Sequence, residues 1–257
     1  MSSELQVKVA VITGAARGIG LEIAQKFHSE KYHVVILDYN KEAMQDCKAK
    51  LKGKKRYSYF LCDVSKPKQI QKVYDQITSK FEAVHALVNN AGIAIFKPAQ
   101  DITFEDWNDV LSINLGGTFN CSKIFYPALL KVKGSIVNIA SISGVRASTL
   151  RIAYGTSKAA IMHLTKQQAV EYGNYGVRAN AIAPGPVETE MAKLVHSADI
   201  RTSYADAIPL ARYGTTEEIS NAVYFLCSPA ASFINGQIIA VDGGFDAAGV
   251  GLPSLRN

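Results

Sequence analysis

Short apolar runs alternate with longer amphipathic segments along most of the chain. Runs such as residues 7–12 and 33–37 are continuous and rich in Val and Ile, which is typical of strands buried on both faces of a parallel sheet. The segments between them, such as residues 67–81, repeat apolar positions at helical spacing. Strands and helices alternate without an internal linker. The pattern therefore predicts one α/β domain over residues 1–257, a doubly wound parallel sheet between two layers of helices.

Two stretches depart from this rhythm. The apolar-periodic segment 104–130 predicts a long helix, and the run Asn114-Leu115-Gly116-Gly117 predicts a local break within it. Residues 190–213 are polar and weakly periodic, and we expect them to form a mobile lid. Beyond the lid, Thr215 followed three residues later by Glu218 predicts a capped helix.

Composition and charge exclude several classes of protein. The 257 residues are 48% hydrophobic and carry a net charge of +6, with much of the excess in the basic run 48–56. We interpret that run as a solvated helix end and turn, because no aromatic interleaving indicates nucleic-acid binding. Four Cys residues without C-x-x-C spacing and five dispersed His residues predict neither disulfides nor a metal site. With no signal-peptide pattern and no membrane-spanning run, we expect a cytoplasmic protein.

A glycine-rich stretch from Thr13 to Gly20 joins the first predicted strand to the first predicted helix. Gly14 permits a tight turn, Gly18 lets the main chain approach a pyrophosphate, and Gly20 lets the helix pack closely on the strand. The unpaired N–H groups at the helix N-terminus attract phosphate. The spacing is G-x-x-x-G-x-G, and its position between a strand and a helix predicts a dinucleotide site.

Residues at the ends of later strands fit the same ligand. Asp38 ends the second strand, where a carboxylate can bind the adenosine ribose hydroxyls and repel a 2′-phosphate, which favours NAD over NADP. Two alternatives stay open: Asp38 could merely cap the next helix, and Arg17 with the basic run 48–56 could accommodate NADP. Asp63, ending the third strand, could accept a hydrogen bond from the adenine amino group. The Asn-Asn-Ala-Gly sequence at 89–92 can bond to neighbouring strand ends and leaves room for a ring.

Ser141, Tyr154 and Lys158 form the candidate catalytic set. Ser141 ends the fifth strand, and the four-residue spacing of Tyr154 and Lys158 places them on one face of a helix. Because an ammonium favours a neighbouring phenolate, we expect Lys158 to lower the pKa of Tyr154 from about 10 and make it a general acid/base. The alternative is an ordinary helix with a half-buried Tyr and a solvated Lys.

Five motifs together resemble those of the short-chain dehydrogenase/reductase superfamily: TGAARGIG, Asp63 within CDV, NNAG, Ser141 with YGTSK, and PGPVET. The resemblance covers nearly the whole chain. It implies a Rossmann-like sheet of seven parallel strands in the order 3-2-1-4-5-6-7. It also implies a homotetramer or a dimer, packed through the helices at 104–130 and 154–172 and through the C-terminal strand region.

The resemblance also implies a role for each candidate catalytic residue. Tyr154 is expected to exchange a proton with a carbonyl or alcohol oxygen, and Ser141 to orient that oxygen and stabilise developing charge. Lys158 is expected to lower the pKa of the tyrosine and to bind the nicotinamide ribose. The main-chain carbonyl of Asn114 is expected to hold a water in a proton relay toward Lys158.

Cofactor contacts are expected at the carboxyl edge of the sheet. Thr189 matches a hydroxyl that contacts the carboxamide or the pyrophosphate, and Val187 matches a main-chain anchor of the nicotinamide amide. The expected cofactor-binding residues are Gly14, Arg17, Gly18, Ile19, Gly20, Asp38, Asp63, Val64, Asn90, Ala91, Gly92, Tyr154, Lys158, Pro184, Gly185, Val187 and Thr189.

The predicted activity is NAD-dependent interconversion of a secondary alcohol and a ketone, with NADP not excluded. The substrate stays open between a 3-oxoacyl thioester and a small alcohol or sugar, because residues 208–244 are similar to both kinds of enzyme. Val170 stands where 3-oxoacyl-carrier-protein reductases tend to carry an Arg that docks the acidic carrier, although Lys131 and Lys133 could partly compensate. A catalytically silent dinucleotide-binding regulator is the alternative from another class.

Substrate specificity is expected to lie in the lid at 190–213 and in the loops at 93–103 and 143–152, where no motif applies. The tail after Gly244 could lie over the site of a neighbouring subunit.

Overall fold

Seven parallel strands form one sheet in the order β3-β2-β1-β4-β5-β6-β7 in the computed structural model, which describes residues 7–249. Every neighbouring pair runs parallel. The strands are β1 (Val9–Thr13), β2 (His33–Asp38), β3 (Tyr57–Leu61), β4 (Ala86–Asn89), β5 (Ser135–Ile139), β6 (Arg178–Pro184) and β7 (Ile238–Val241). The predicted fold class and strand order are confirmed.

Burial explains why the central strands are continuous apolar runs. Every residue of β1, β4 and β5 is buried, because helices cover both faces of the sheet. Successive residues of β1 point to opposite faces, so Ile12 joins one hydrophobic cluster and Val11 the other. The edge strands β3 and β7 keep partly exposed residues.

The helices lie between the strands as the apolar periodicity predicts. They are α1 (Gly18–Ser29), α2 (Lys41–Lys50), α3 (Pro67–Thr78), α4 (Phe104–Leu111), α5 (Gly117–Leu130), α6 (Ile142–Val145), α7 (Ile152–Gly173), α8 (Glu190–Val195), α9 (Ala198–Ala207) and α10 (Thr216–Cys227). Thr215 and Glu218 form the predicted capping box of α10. The predicted break between α4 and α5 is a π-helical turn, Ser112–Gly116.

The segment at 190–213 contains two short helices, α8 and α9, which the weak periodicity did not reveal. Both begin at hydroxyl caps: Thr189 accepts a hydrogen bond from the Ala192 N–H, and Ser197 accepts one from the Ile200 N–H. None of the α9 residues is fully buried. A helix that is specified by its cap rather than by an apolar stripe leaves little periodic signal in the sequence.

Within residues 7–249, no helix has both the length and the apolarity needed to cross a membrane. The cysteines Cys47, Cys62, Cys121 and Cys227 are buried free thiols. The expected contact of the C-terminal tail with another subunit falls partly on residues 250–257, which lie outside the described residues.

Candidate active site

The glycine loop lies at the carboxyl end of β1 and is held by the chain that leaves β4. The amide nitrogen of Asn90 donates to the carbonyls of Thr13 and Gly14, both at 2.9 Å. A Cβ on Gly14, which has φ +61°, would lie 2.8 Å from the Cα of Ala91. A Cβ on Gly20 would overlap the Gly14 carbonyl and lie 2.5 Å from the Asn90 amide nitrogen. Both positions therefore require glycine for packing within the protein itself.

Gly18 differs from the other two glycines. It also has positive φ, at +56°, but a Cβ there would meet nothing within 4 Å, and the residue is exposed. It opens α1, next to Arg17, whose exposed side chain makes no capping hydrogen bond. Ile19 is half-buried behind them. The loop thus leaves main-chain N–H groups and open space at a helix N-terminus, which is the arrangement that binds phosphate.

Thr13 is a residue whose importance the sequence did not indicate. Its side-chain oxygen accepts hydrogen bonds from the main-chain N–H groups of Asn90 and Ala91, both at 3.0 Å. It thereby ties the end of β1 to the exit of β4 on the side where Gly92 follows. Only the tertiary pairing of β1 with β4 brings these groups together.

Asp38 is buried at the end of β2, and both of its carboxylate oxygens are fixed by the main chain. One accepts from the Ala16 N–H in the glycine loop at 3.0 Å, and the other from the Asn40 N–H at 3.0 Å. The cap of α2 is Asn40, whose side chain accepts from the Ala43 N–H. The alternative that Asp38 merely caps this helix is therefore wrong, and the carboxylate keeps unused lone pairs.

Asp63 and Val64 follow β3 on the same edge. One oxygen of Asp63 accepts from the N–H and the hydroxyl of Ser65, at 2.9 and 2.7 Å. Val64 is buried, its carbonyl accepts from the Asn120 side chain at 3.2 Å, and its side chain fills the space beside Gly117. The side chain of Asp63 thus shapes the turn into α3 while keeping one oxygen without a recorded partner within residues 7–249.

Lys158 is buried on α7, with 4% of its surface exposed. Its amine donates to the carbonyl of Ile139, the last residue of β5, at 2.7 Å, and lies 5.6 Å from the centre of the Tyr154 ring. Burial lowers the pKa of Lys158 from 10.5 to about 8. The solvated Lys of the alternative interpretation is therefore excluded.

Tyr154 is half-buried near Ser141, the N-cap of α6. Burial raises the pKa of Tyr154 above its ordinary value of 10, although a hydrogen bond with Ser141 and the charge of Arg151 act in the opposite direction. The expectation that Lys158 lowers the pKa of Tyr154 below 10 is wrong for this structure. The Lys158 amine donates to a main-chain carbonyl and lies 5.6 Å from the centre of the Tyr154 ring, and burial of the phenol is the larger influence on its pKa.

Asn114 lies fully buried within the π-helical turn. Its side chain exchanges two hydrogen bonds with the main chain of Ile93, at 2.8 and 3.0 Å, and donates to the Ser157 hydroxyl at 2.9 Å. Its carbonyl accepts from the Thr118 hydroxyl at 2.7 Å. Asn114 thus connects the chain after β4 to the α7 helix that carries Tyr154 and Lys158, and one lone pair of its carbonyl is already used.

The exit of β6 completes the edge. Pro184 is buried, and the Gly185 N–H donates to the Val241 carbonyl of β7 at 3.0 Å. Val187 is buried and pairs with Gly214 in an isolated bridge. Thr189 caps α8 through its oxygen, which accepts from Ala192 at 3.1 Å, so its hydroxyl hydrogen is free to donate to a ligand.

These residues fit a dinucleotide cofactor on structural grounds. The open, positive-φ backbone at Gly18 provides a cradle for phosphate, and Asp38 presents fixed acceptors at the end of the adjacent strand. Further along the edge, a Cβ on Gly92 would lie 3.1 Å from the Asn114 side-chain oxygen and 3.5 Å from the Lys158 amine. Glycine there keeps the main chain close to the amine. Parallel sheets bind nucleotides in the crevice at this carboxyl edge.

Comparison with known proteins agrees with this geometry. The family described as Enoyl-(Acyl carrier protein) reductase matches residues 14–246. The 3-oxoacyl-[acyl-carrier-protein] reductase FabG of Chlamydia muridarum is 36% identical over 247 residues, covering 95% of this chain and 99% of that protein. The meso-2,3-butanediol dehydrogenase of Serratia marcescens is also 36% identical, covering 94% of this chain and 95% of that protein.

Solved structures show the same likeness. The gluconate 5-dehydrogenase of Burkholderia cenocepacia, solved in complex with NADP and tartrate, superposes with a TM-score of 0.89 at 32% identity. The match covers 95% of this chain and 97% of that one. Together with the glycine loop, Ser141, Tyr154 and Lys158, these matches show that the chain belongs to the short-chain dehydrogenase/reductase family of oxidoreductases.

Proposed function

We propose that this protein is an NAD(P)-dependent oxidoreductase that interconverts a secondary alcohol and a ketone, with Tyr154 as the acid/base. One observation carries the proposal. The buried amine of Lys158 lies 3.5 Å from the Cβ position of Gly92, and Ala91, next in the chain, contacts the glycine loop at Gly14. The candidate proton-transfer residues and the candidate phosphate cradle therefore belong to one continuous site.

The residues of the chain divide the work as follows. A bound nicotinamide supplies or accepts the hydride at its ring C4. In the reducing direction, Tyr154 donates its phenolic proton to the substrate carbonyl oxygen, and the Ser141 hydroxyl donates a second hydrogen bond to that oxygen. Lys158 then replaces the proton that Tyr154 has lost, and it binds the nicotinamide ribose. Asn114 positions α7 through its hydrogen bond to Ser157, and its hydrogen bond with the Ile93 N–H fixes the loop after β4 relative to α7.

The raised pKa of Tyr154 favours reduction at neutral pH. A phenol whose pKa lies above 10 is protonated at pH 7 and ready to donate, whereas oxidation of an alcohol needs the phenolate. Lys158, whose pKa of about 8 lies closer to neutrality, is the group positioned to set the pH dependence. At neutral pH the phenol is therefore in the protonated form that reduction of a ketone uses, and oxidation of an alcohol should need a higher pH.

For the cofactor we propose NAD(H), held by the residues of the glycine loop, Asp38, residues 90–92 and the exit of β6. The fixed, buried carboxylate of Asp38 supports ribose hydroxyls as its partners and opposes a 2′-phosphate. NADP stays the second candidate, because the exposed Arg17 is close in sequence to the loop and the similar gluconate 5-dehydrogenase was solved with NADP.

The exposed residues of α7 are the basis on which we propose a substrate class. Val170 is 70% exposed where an acidic carrier protein would need a basic partner, although Lys131 and Lys133, just before β5, are also exposed. This favours a small alcohol or ketone over a 3-oxoacyl group on a carrier protein. By name, the similar proteins act on both kinds of substrate.

The decisive experiment combines a substrate panel with Tyr154→Phe. Wild-type protein should oxidise NADH in the presence of at least one member of a panel of ketones, keto sugars and 3-oxoacyl thioesters. Tyr154→Phe should reduce kcat by about 10²-fold or more while NADH binding, followed by fluorescence, stays intact. A dinucleotide-binding regulator would instead bind NADH without turning over any panel member, and the substitution would change nothing.

We further propose that the protein is a homotetramer or a dimer and that it is located in the cytoplasm. Large apolar side chains are exposed on the helices expected to pack together: Phe104 is 91% exposed, and Phe119 and Val170 are 47% and 70% exposed. Four free thiols suit a reducing compartment. Light scattering on the purified protein measures the mass of the assembly, and a monomer would contradict this assignment.

A further inference from the structure

We propose that Arg151 binds a carboxylate of the substrate, so that the preferred substrate is a short hydroxy acid or keto acid anion. This inference rests on the proposed function, whose substrate it narrows. Four observations lead to it: the position of Arg151, its lack of an acidic partner among residues 7–249, the cost of placing it there, and the number of hydrogen-bond donors on its guanidinium.

Arg151 lies beside the candidate acid/base and bridges the two loops that flank it. The centre of its guanidinium is 5.9 Å from the centre of the Tyr154 ring and 5.0 Å from that of Phe96. One of its nitrogens lies 3.3 Å from the Ser143 hydroxyl. Phe96 belongs to the loop after β4, and Ser143 follows Ser141. A substrate oxygen held between Ser141 and Tyr154 therefore has this cation at its side.

Within the described residues, no acidic side chain neutralises the charge of Arg151. Among residues 7–249, no carboxylate lies within ion-pair distance of it. Arg201, which like Arg151 acts electrostatically on His196, forms an ion pair with Glu188, so those two charges cancel. His196 interacts electrostatically with Arg151, and burial lowers the pKa of this imidazole, which keeps it neutral at pH 7. Among the described residues, the surroundings of Tyr154 thus include a positive charge at Arg151 that an anion would neutralise.

The position is costly for the fold, which argues against a purely structural role. Arg151 occupies the N-cap of the 22-residue helix α7 without making a capping hydrogen bond. A cation there opposes the positive end of the helix dipole. The preceding residue, Leu150, is forced into the left-handed region with φ +61°. Such strain is commonly retained at functional sites.

The free donors of Arg151 match a carboxylate. A guanidinium has five N–H donors in a planar fork, and the Ser143 contact is the hydrogen bond recorded for Arg151 within the described residues. A carboxylate accepts two parallel hydrogen bonds from this fork. The centre of the guanidinium lies 5.9 Å from the centre of the Tyr154 ring. A substrate whose carboxylate is about one to three carbons from the reacting carbonyl can therefore contact Arg151 and Tyr154 at the same time.

The test compares charged and neutral substrates of the same shape. Reduction of short 2-, 3- and 4-keto acids is measured against the corresponding primary amides, for wild type and for Arg151→Gln. Wild type should prefer the acids. Arg151→Gln should raise KM for the acids by about tenfold or more, leave KM for the amides within about twofold, and change kcat little. Arg151→Lys, which keeps the charge but not the fork, should recover part of the loss.

Arg212→Gln is the matched control, because it removes the same charge from an exposed arginine that is already paired with Glu218. It should leave the preference for acids unchanged. The inference is overturned if wild type reduces the amides as well as the acids, or if Arg151→Gln weakens both equally, which would show that Arg151 only holds Phe96 and Ser143 in place.

Binding measurements separate this inference from the proposed function. Malonate should raise the melting temperature of NADH-loaded wild type but not that of NADH-loaded Arg151→Gln. If no panel member is turned over and malonate still binds through Arg151, the proposed activity fails and the anion site stands. If ketones are reduced and malonate stabilises both proteins equally or neither, the activity stands and the anion site is wrong.

Discussion

The two sides of the candidate active site are built by different means. On the cofactor side, residues 9–38 and 89–92, the side chains of Thr13, Asp38 and Asn90 all bond to main-chain atoms at or just after the ends of strands. On the substrate side, residues 143–154 and 188–213, side chains contact side chains. There His196, Tyr204 and Tyr213 form an aromatic cluster, and ion pairs and cation–π contacts such as those of Arg201 lie beside it.

The difference separates a part of the site that the backbone constrains from a part that side chains build, within a single fold. Main-chain contacts constrain which residues are possible, because only glycine fits where a Cβ would strike another strand. Side-chain contacts can be rebuilt with other residues of similar size without changing the backbone. The cofactor side should therefore tolerate little substitution, and the substrate side should change specificity before it changes stability.

The largest effect is expected from Gly20→Ala. Its Cβ would overlap the Gly14 carbonyl and approach the Asn90 amide to 2.5 Å, so the free energy of unfolding should fall by about 3 kcal/mol. Gly18→Ala is the matched variant, since its Cβ meets nothing within 4 Å but sits at φ +56° and should cost only about 1 kcal/mol. Urea unfolding measures both values, and NADH titration should show weakened binding for Gly18→Ala. Equal destabilisation of the two variants would contradict the distinction.

Lys158 should make stability depend on pH. Its pKa is about 8 in the folded protein and 10.5 when unfolded, so between these values the unfolded chain binds more protons and its contribution to stability rises with pH. The full change is about 3 kcal/mol, absent below pH 8 and complete above pH 10.5. The difference in free energy of unfolding between wild type and Lys158→Met, measured with urea across this pH range, isolates the contribution of Lys158 from those of the buried Tyr and Cys groups. A difference that does not vary with pH would show that the amine is not desolvated.

Asp38→Asn should relax the preference for NADH over NADPH by about tenfold or more, because it removes the charge that repels a 2′-phosphate but keeps an oxygen for the Ala16 N–H. The ratio of kcat/KM for the two cofactors measures it. Asn40→Ala, which removes the cap of α2, should lower stability by about 1 kcal/mol and leave the ratio unchanged. If the second variant shifts the ratio as much as the first, the charge is not the cause.

The smallest effect is expected from Tyr204→Leu on the substrate side. The ring of Tyr204 contacts His196, Tyr213 and Phe245, and its loss should raise substrate KM several-fold while the Kd of NADH stays constant. Tyr175→Leu, at a position 61% exposed, is the control and should change neither value. A change in NADH affinity in Tyr204→Leu would mean that the two sides are not independent.

Features with a local signal could be predicted from the sequence, and features that depend on contacts between remote segments could not. The strands, the capping box at Thr215 and the break at Asn114 carry local signals, and all are found in the structure. The two helices at 190–207 were missed because short, exposed helices have no periodic stripe. Arg151 was missed because no spacing rule connects it with Phe96, which lies far from it in the sequence.

The pKa of Tyr154 shows most clearly what could not be predicted from the sequence. The spacing of Tyr154 and Lys158 correctly placed amine and ring on one helix face, but it also predicted a more acidic phenol. A pKa depends on the balance of burial and neighbouring charge, and burial of both groups wins in the folded protein.

By itself, the sequence determined the order of strands and helices and the glycine positions, since periodicity and backbone freedom are properties of neighbouring residues. It also determined that Asp38 stands at the end of a strand and that Lys158 shares a helix face with Tyr154. Only the tertiary structure decided which atoms those side chains bond, how deeply the amine is buried, and that Arg151 lies beside Tyr154 with no acidic partner among residues 7–249. Those properties depend on distances between segments that are remote along the chain, and such distances are set by packing.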